Sequence, residues 1–155
     1  MNVMEFSALV EGLQHGLSEQ LWGLVLFGSV ARGEAQESSD IDLLLVADDL
    51  PEKFMARTRY IRRLLPGELR GAVSFIAKTR AEFEAGFPSY YLDLALDGVI
   101  LYDREDYMRQ KLTRIHELMQ AAGLKRRRTD YGFSWEWQKP PKGHWRLDWS
   151  GIYGF

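Results

Sequence analysis

Two aspartates, Asp40 and Asp42, stand at the start of an apolar run that ends at Ala47. If this run is a β-strand, side chains two positions apart project from the same face of the sheet, so the two carboxylates would be close neighbours. Neighbouring carboxylates repel each other, and burial strengthens the repulsion because it lowers the dielectric constant. A divalent metal ion bound through oxygen atoms would neutralise them. The pair is therefore a candidate metal site.

A glycine–serine pair precedes the aspartates. Gly28 and Ser29 follow the preceding apolar run, residues 21–27. Glycine allows the backbone to approach a bulky ligand closely, and adjacent N–H groups together with a serine hydroxyl can hold a phosphate. A phosphate-binding turn beside a carboxylate pair is suited to metal-assisted phosphoryl or nucleotidyl transfer. The alternative is an ordinary turn in which Asp40 caps or bounds a strand.

The whole stretch, GSVARG at residues 28–33 followed by SSDIDLLLV at residues 38–46, resembles the signature of a known family. The family is the minimal nucleotidyltransferase branch of the DNA polymerase β-like nucleotidyltransferase superfamily, and the resemblance extends over about residues 5–102. It implies an α/β (α+β) nucleotidyltransferase fold, in which helices flank a short mixed β-sheet. It also implies divalent metal ions, Mg²⁺ or Mn²⁺, and a nucleoside triphosphate, most simply ATP, as the donor.

The resemblance assigns roles to residues of the motif. Four residues would bind the nucleotide: Gly28, Ser29, Arg32 and Ser39. Two would bind the metal and serve in catalysis: Asp40 and Asp42. Arg32 and Gly33 both match the motif, with less definite roles than Gly28 and Ser29. The expected reaction transfers a nucleoside monophosphate, AMP from ATP, to a hydroxyl group on a protein, a nucleic acid or a small molecule.

The sequence departs from the family at one position. Active members usually carry a third carboxylate on a later strand, and the corresponding strand here is residues 72–77, where Ser74 occupies the expected position. A hydroxyl does not supply the missing charge, so a second metal would bind more weakly and deprotonation of the acceptor would be slower. Glu68, the nearest acid upstream, lies in the turn before the strand, and Asp93 is distant in sequence. The departure affects expected turnover more than nucleotide binding.

This departure leaves two other hypotheses open. The first is a catalytically weakened regulator that resembles the antitoxins of two-gene modules and binds a helical, ribonuclease-like partner protein encoded nearby. The second is a relic domain that keeps the fold without ligands.

Hydrophobic periodicity predicts the elements that position these residues. Helices are expected over about residues 4–19, from Pro51 to Leu65, in two short segments after Thr79 and Ser89, and from Tyr107 to Gly123. Strands are expected at residues 21–27, 41–47, 72–77 and 99–102, with a loop at residues 31–39. Thr79 and Glu82 have the spacing of a capping box. We expect residues 1–103 to form the nucleotidyltransferase domain.

Residues 104–155 are predicted to add a C-terminal helix and an aromatic-rich, hairpin-like tail packed on the same domain. The tail begins with four basic residues, Lys125 to Arg128, and then alternates aromatic with other residues from Tyr131 to Trp137. The aromatic side chains favour a structural cover or an oligomer contact. The alternative is recognition of a partner or an acceptor, for which single-stranded nucleic acid is a candidate. For the arginines at 57, 59, 62 and 63 we favour a solvated helix face over contact with phosphate or an acceptor.

The composition sets limits on these hypotheses. The chain has 155 residues, of which 46% are hydrophobic and 27% charged, and its formal net charge is -2. Nucleic-acid binding would therefore need a local basic patch. The absence of cysteine excludes disulfides, thiolate metal sites and a cysteine nucleophile. No apolar run has the length of a membrane span or the form of a secretion signal, so we expect a cytoplasmic protein.

Overall fold

The computed structural model describes residues 3–154. In this range the α-helices are α1 (Val3–Leu17), α2 (Gly28–Arg32), α3 (Phe54–Arg62), α4 (Arg80–Ala85), α5 (Tyr90–Asp97) and α6 (Tyr107–Ala122), and two 3₁₀ helices span Ser18–Gln20 and Gly67–Leu69. The strands are β1 (Leu21–Phe27), β2 (Ile41–Ala47), β3 (Val73–Lys78), β4 (Val99–Asp103), β5 (Leu124–Thr129), β6 (Gly132–Trp137), β7 (Trp145–Asp148) and β8 (Gly151–Gly154).

A mixed four-stranded sheet forms the centre of the molecule. Its strand order is β3-β2-β1-β4, in which β1 is antiparallel to both neighbours and β2 is parallel to β3. The central strands β1 and β2 are buried on both faces, which explains why their sequences are continuous apolar runs without alternation. The fold class predicted from the sequence is confirmed.

Two hydrophobic cores cover the two faces of this sheet. On one face, Leu13 of α1 and Ile61 of α3 pack against β2 through Leu43. On the other face, helices α4, α5 and α6 pack against Leu44 and Val46. The side chain of Asp42 alternates with those of Ile41 and Leu43, so it belongs to the second face.

The segment after β1 differs from the prediction. Residues 28–32 form the short helix α2 instead of leading directly into a loop. Gly28 has a φ of 74°, which lets the chain turn sharply from the strand into the helix, and Gly33 ends the helix with a φ of 73°. The loop predicted for residues 31–39 was therefore wrong at its beginning.

Helix α3 also differs from the prediction in detail. Pro51 lies before the helix, and the apolar residues Phe54 and Met55 in its first turn are 78% and 67% exposed. Further along the chain, the capping box of Thr79 and Glu82 is present at α4. Ser89 occupies the N-cap position of α5, but its side chain makes no capping hydrogen bond.

The predicted hairpin-like tail consists of two hairpins, β5–β6 and β7–β8. Trp135 and Trp149 pack against the second core, and the indole N–H of Trp149 donates a hydrogen bond to the carbonyl of Gly86 at 3.0 Å. Tyr131, expected in the aromatic strand, is instead fully exposed in the β5–β6 turn. Within residues 3–154, no helix is both long and apolar enough to cross a membrane.

Candidate functional site

The two aspartates lie where β2 begins. Asp40 is exposed just before the strand, and Asp42 is half-buried within it. Burial raises the pKa of the Asp42 carboxyl, the negative charge of Asp40 raises this pKa further, and the charge of Arg32 opposes both effects. Neither carboxylate has a hydrogen bond or an ion pair with another side chain in residues 3–154. The pair therefore has free oxygen atoms that could bind a cation.

The glycine–serine turn lies directly against this pair. Phe27, the last residue of β1, is paired with Asp42 in the antiparallel register, so Gly28 begins α2 beside the carboxylate. A Cβ atom added to Gly28 would lie 2.3 Å from Oδ2 of Asp42, well inside van der Waals contact. The structure thus brings the predicted phosphate-binding turn and the predicted metal ligand into contact.

Ser29 follows in the first turn of α2 and is half-buried. Its hydroxyl has no hydrogen-bond partner in the part of the chain that the structure describes. The first amide groups of a helix also lack acceptors within the helix. This turn can therefore donate hydrogen bonds to an anion held next to Asp42.

Arg32 is held near the aspartates by two acids. Its Nε donates to Glu34 at 3.3 Å, and its Nη1 donates to Asp97 of α5 at 3.4 Å. Its charge acts on Asp42, as the effect on that pKa shows. Ser39 has a different environment, because its hydroxyl accepts a hydrogen bond from the backbone N–H of Gln36 at 2.9 Å. Its visible role is to shape the loop that leads into β2.

Strand β3 runs beside the acid pair, and Ser74 is paired with Asp42 in its parallel register. Ser74 is exposed. The two alternative acids lie elsewhere: Glu68 is in a short 3₁₀ turn before the strand, and Asp93 forms an ion pair with Arg126 at 3.1 Å. Among residues 3–154, no group of three or more histidine, aspartate or glutamate side chains could hold a metal ion.

The C-terminal hairpin β5–β6 borders the site, a contact that the sequence analysis missed. Arg126 of β5 donates to both carboxylate oxygens of Asp97, at 2.5 and 2.9 Å, and Arg128 donates to Glu34 at 2.6 Å. Asp97 and Glu34 are the acids that hold Arg32. Burial raises the pKa of Asp97, but hydrogen bonds and charge from Arg126, with a smaller contribution from Arg32, outweigh this and leave it lowered.

Phe133 of β6 completes this contact. Its ring faces the guanidinium groups of Arg32, Arg126 and Arg128, whose central carbons lie 4.9, 4.0 and 4.7 Å from the ring centre. The guanidinium groups of three arginines, each paired with an acid, thus lie around one aromatic ring. The only sequence signal for this arrangement was the alternation in β5 and β6, which puts paired residues of the two strands on one side of the hairpin.

These ion pairs also bear on the interpretation of the basic run in the tail. Arg126 and Arg128 are neutralised by Asp97 and Glu34, and Arg127 pairs with Glu136 at 3.1 Å. Their guanidinium groups are therefore already paired with carboxylates of the protein itself. The structure favours the covering interpretation of the tail over recognition of nucleic acid.

Comparison with known proteins identifies the family of this site. The family model described as "nucleotidyltransferase domain" matches residues 17–116, which include the turn, the acid pair and strand β3. The chain belongs to the nucleotidyltransferase domain family. Members of this family transfer nucleotidyl groups, which agrees with the predicted phosphate-binding turn beside two carboxylates.

A curated relative of this nucleotidyltransferase domain is a candidate protein adenylyltransferase of Methanocaldococcus jannaschii. The two are 43% identical over 47 residues, which make up 30% of this chain and 32% of the relative. The chain therefore matches about a third of that relative's length.

Two solved structures share the fold. One is a toxin–antitoxin complex with AMP-PNP, with a TM-score of 0.56 and 18% identity over 75% of this chain and 87% of that chain. The other is the complex of a tri-AMPylated HEPN toxin with its MNT antitoxin from Shewanella oneidensis. It has a TM-score of 0.54 and 16% identity over 78% of this chain and 88% of that chain. At these identities the likeness establishes a common fold.

Proposed function

We propose that this protein is a metal-dependent nucleotidyltransferase that moves AMP from ATP to a hydroxyl acceptor. The contact between Gly28 and the Asp42 carboxylate carries the proposal, because it puts the predicted phosphate-binding turn directly against the predicted metal ligand. The choice of AMP is supported by the adenylyltransferase relative and by the AMP-PNP and AMPylated complexes that share the fold.

The residues present fit Mg²⁺ or Mn²⁺. Mg²⁺ commonly binds through one or two carboxylates together with substrate phosphates and water. Asp40 and Asp42 offer carboxylate oxygens that have no other side-chain partner in the described range. When bound there, the ion would neutralise charge on the phosphates and make the acceptor hydroxyl easier to deprotonate.

The remaining roles follow from the donors and charges around the pair. The Ser29 hydroxyl and the first amide groups of α2 would donate to the phosphates of ATP. Arg32 would balance negative charge beside Asp42. In the transfer, the acceptor oxygen would bond to the α-phosphorus, the bond to pyrophosphate would break, and the proton of the acceptor hydroxyl would pass to solvent. Because Ser74 stands beside Asp42, we expect ATP binding with slow turnover.

The test uses labelled ATP with Mg²⁺ or Mn²⁺ and an extract of the source cells. The double variant Asp40→Asn with Asp42→Asn should lose both the labelled product and metal-dependent ATP binding, while its circular dichroism spectrum stays unchanged. The control variant Asp49→Asn with Asp130→Asn makes the same change in charge at two exposed aspartates and should retain both. Unchanged ATP binding in the first variant would contradict the proposed site.

A second candidate function is a nucleotide-binding regulator that binds a partner protein in the manner of an antitoxin. Ser74 favours it, because the missing carboxylate weakens catalysis more than binding. The solved toxin–antitoxin complexes that share the fold also support it. Copurification with one helical protein encoded nearby, with ATP binding but no labelled product, would support the regulator. A labelled product that depends on Asp40 and Asp42 would support the enzyme.

A further inference from the structure

Four arginines lie close together on α3 and the turn after it, and their side chains, largely through their aliphatic stems, line a surface cavity of about 210 Å³: Arg59, Arg62, Arg63 and Arg70. We call this the arginine face. No acidic residue lines the cavity. The arginine face therefore differs from the basic run of the tail, in which each arginine is paired with a carboxylate.

Two of the four arginines are fixed by the backbone. Nη1 of Arg62 donates to the carbonyl of Val73 at 3.2 Å and also to that of Arg70. Nη2 of Arg70 donates to the carbonyl of Arg63 at 3.1 Å. These contacts hold two guanidinium groups in place without neutralising them, because a carbonyl oxygen carries no formal charge. They also explain part of the basic helix face, which is not simply solvated.

The other two arginines have no such structural use. Arg59 and Arg63 are exposed, and their side chains make no hydrogen bond or ion pair within residues 3–154. They are four positions apart on or just after α3, and like charges at this spacing destabilise a helix. The net charge of the chain is -2, so a general excess of basic residues does not explain the cluster. An anionic ligand would relieve the repulsion.

Exposed apolar side chains beside the arginines indicate which class of anion the arginine face would bind. Met55 lies one helical turn before Arg59 and is 67% exposed, and Tyr60 is 40% exposed. Guanidinium groups interleaved with exposed aromatic and apolar side chains suit a nucleic-acid strand, whose phosphates pair with arginine and whose bases stack. We propose that the arginine face binds the phosphate backbone of single-stranded nucleic acid. This proposal does not depend on the transferase activity.

The test measures the anisotropy of a fluorescent 20-nucleotide single-stranded RNA, and of the corresponding DNA, with the full-length protein at several salt concentrations. We expect the wild-type protein to bind, with an affinity that falls as salt rises. Each phosphate contact on a single strand contributes about 0.7 to the slope of log K against log salt, so the variant Arg59→Ala with Arg63→Ala should lose roughly 1.4 from the slope.

Three controls keep the test decisive. The variant Lys139→Ala with Lys142→Ala removes the same charge from the loop after β6 and should leave the slope unchanged. The variant Arg59→Lys with Arg63→Lys keeps both charges and should retain most of the slope. The variant Asp40→Asn with Asp42→Asn should bind the oligonucleotides normally, which separates this proposal from the transferase. No binding by the wild-type protein, equal losses in the two alanine variants, or equally effective competition by poly-aspartate would overturn the proposal.

Discussion

The backbone of Gly28 and the carboxylate of Asp42 are in direct contact, so a Cβ atom on Gly28 would lie 2.3 Å from Oδ2. The positive φ of Gly28 and this contact are separate requirements for glycine. Gly33, at the other end of α2, shares the first requirement with a φ of 73° but has no atom within 4 Å of the Cβ position. Gly33 is therefore a matched control for Gly28, because it shares the positive φ but lacks the contact with a carboxylate.

We predict that Gly28→Ala weakens ATP binding in the presence of Mg²⁺ by about tenfold or more, because the added carbon must displace the Asp42 carboxylate. Gly33→Ala should cost about 1 kcal/mol of stability for its left-handed backbone and leave binding nearly unchanged. Isothermal titration with a non-hydrolysable ATP analogue measures the affinities, and urea unfolding measures the stabilities. Equal losses of affinity in the two variants would show that the contact with Asp42 has no special importance.

The hairpin arginine Arg126 is predicted to stabilise the fold and to position Arg32. The side chains of Arg126 and Asp97 are only 11% and 10% exposed, so Arg126→Ala should cost about 2–3 kcal/mol by leaving Asp97 with only its longer, 3.4 Å contact to Arg32. It should also weaken ATP binding, because Asp97 holds Arg32. Arg127→Ala removes an exposed pair with Glu136 and should cost about 0.5 kcal/mol or less.

The pH dependence provides a second measurement on the same pair. The pKa of Asp97 is lowered in the folded protein, so the ion pair contributes stability above the unfolded pKa of the carboxyl, and this contribution is lost as the pH falls through the folded pKa. The stability difference between wild type and Arg126→Ala should therefore be large at neutral pH and shrink in acid. A difference that is constant with pH would mean that packing on Phe133, and not the charge, accounts for the loss.

The core of the site was predictable because its signals are local in sequence. The apolar runs of β1 and β2 gave the exact bounds of both strands. The charge of Asp40 raises the pKa of Asp42, which agrees with the neighbouring carboxylates that their spacing predicted. The capping box of Thr79 and Glu82 was also predictable, since its hydrogen bonds join residues three positions apart. In each case short-range geometry determines the result.

The features that could not be predicted depend on contacts distant in sequence. Asp97 and Arg126 are 29 residues apart, and no spacing rule pairs them. Phe54 and Met55 fit the spacing of an apolar helix face, yet both are exposed. The periodicity of one helix does not show which part of its apolar face the sheet covers. Arg57 and Arg62 could not be distinguished from solvated residues, yet each donates to a carbonyl of the edge strand β3.

Asp42 is predicted to destabilise the ligand-free protein at neutral pH. Its pKa is raised in the folded state, so the protonated form contributes stability below the unfolded pKa, and this contribution is lost as the pH rises through the folded pKa. Asp42→Asn should therefore raise the Tm by about 1–3 °C at neutral pH and by less in acid. Adding Mg²⁺ with ATP should raise the Tm of the wild-type protein more than that of the variant. A lower Tm for the variant at neutral pH would contradict this account.

Trp149 tests the proposal that residues 104–155 pack on the nucleotidyltransferase domain as one cooperative unit. Its ring contacts Phe83 and Phe87, with ring centres 5.5 and 5.2 Å apart. Trp149→Ala should cost about 3 kcal/mol in urea unfolding and keep a single transition. Trp145→Ala, at a side chain that is 45% exposed, should cost much less. Two separate transitions in the Trp149 variant would indicate an independent tail.

Ser74 is the position at which an acid should increase catalysis. It is paired with Asp42 across the β2–β3 register and is exposed, so an aspartate fits there without displacing core residues. We predict that Ser74→Asp increases the rate of AMP transfer by about tenfold or more, because a third carboxylate would accept the acceptor's proton and add a metal ligand. Ser74→Asn has nearly the same shape without the charge and should remain at the wild-type rate. Single-turnover assays with labelled ATP separate this gain from a change in product release. If both variants transfer AMP at the wild-type rate while binding ATP normally, the limit on turnover lies elsewhere, and the regulator becomes the better account of this protein.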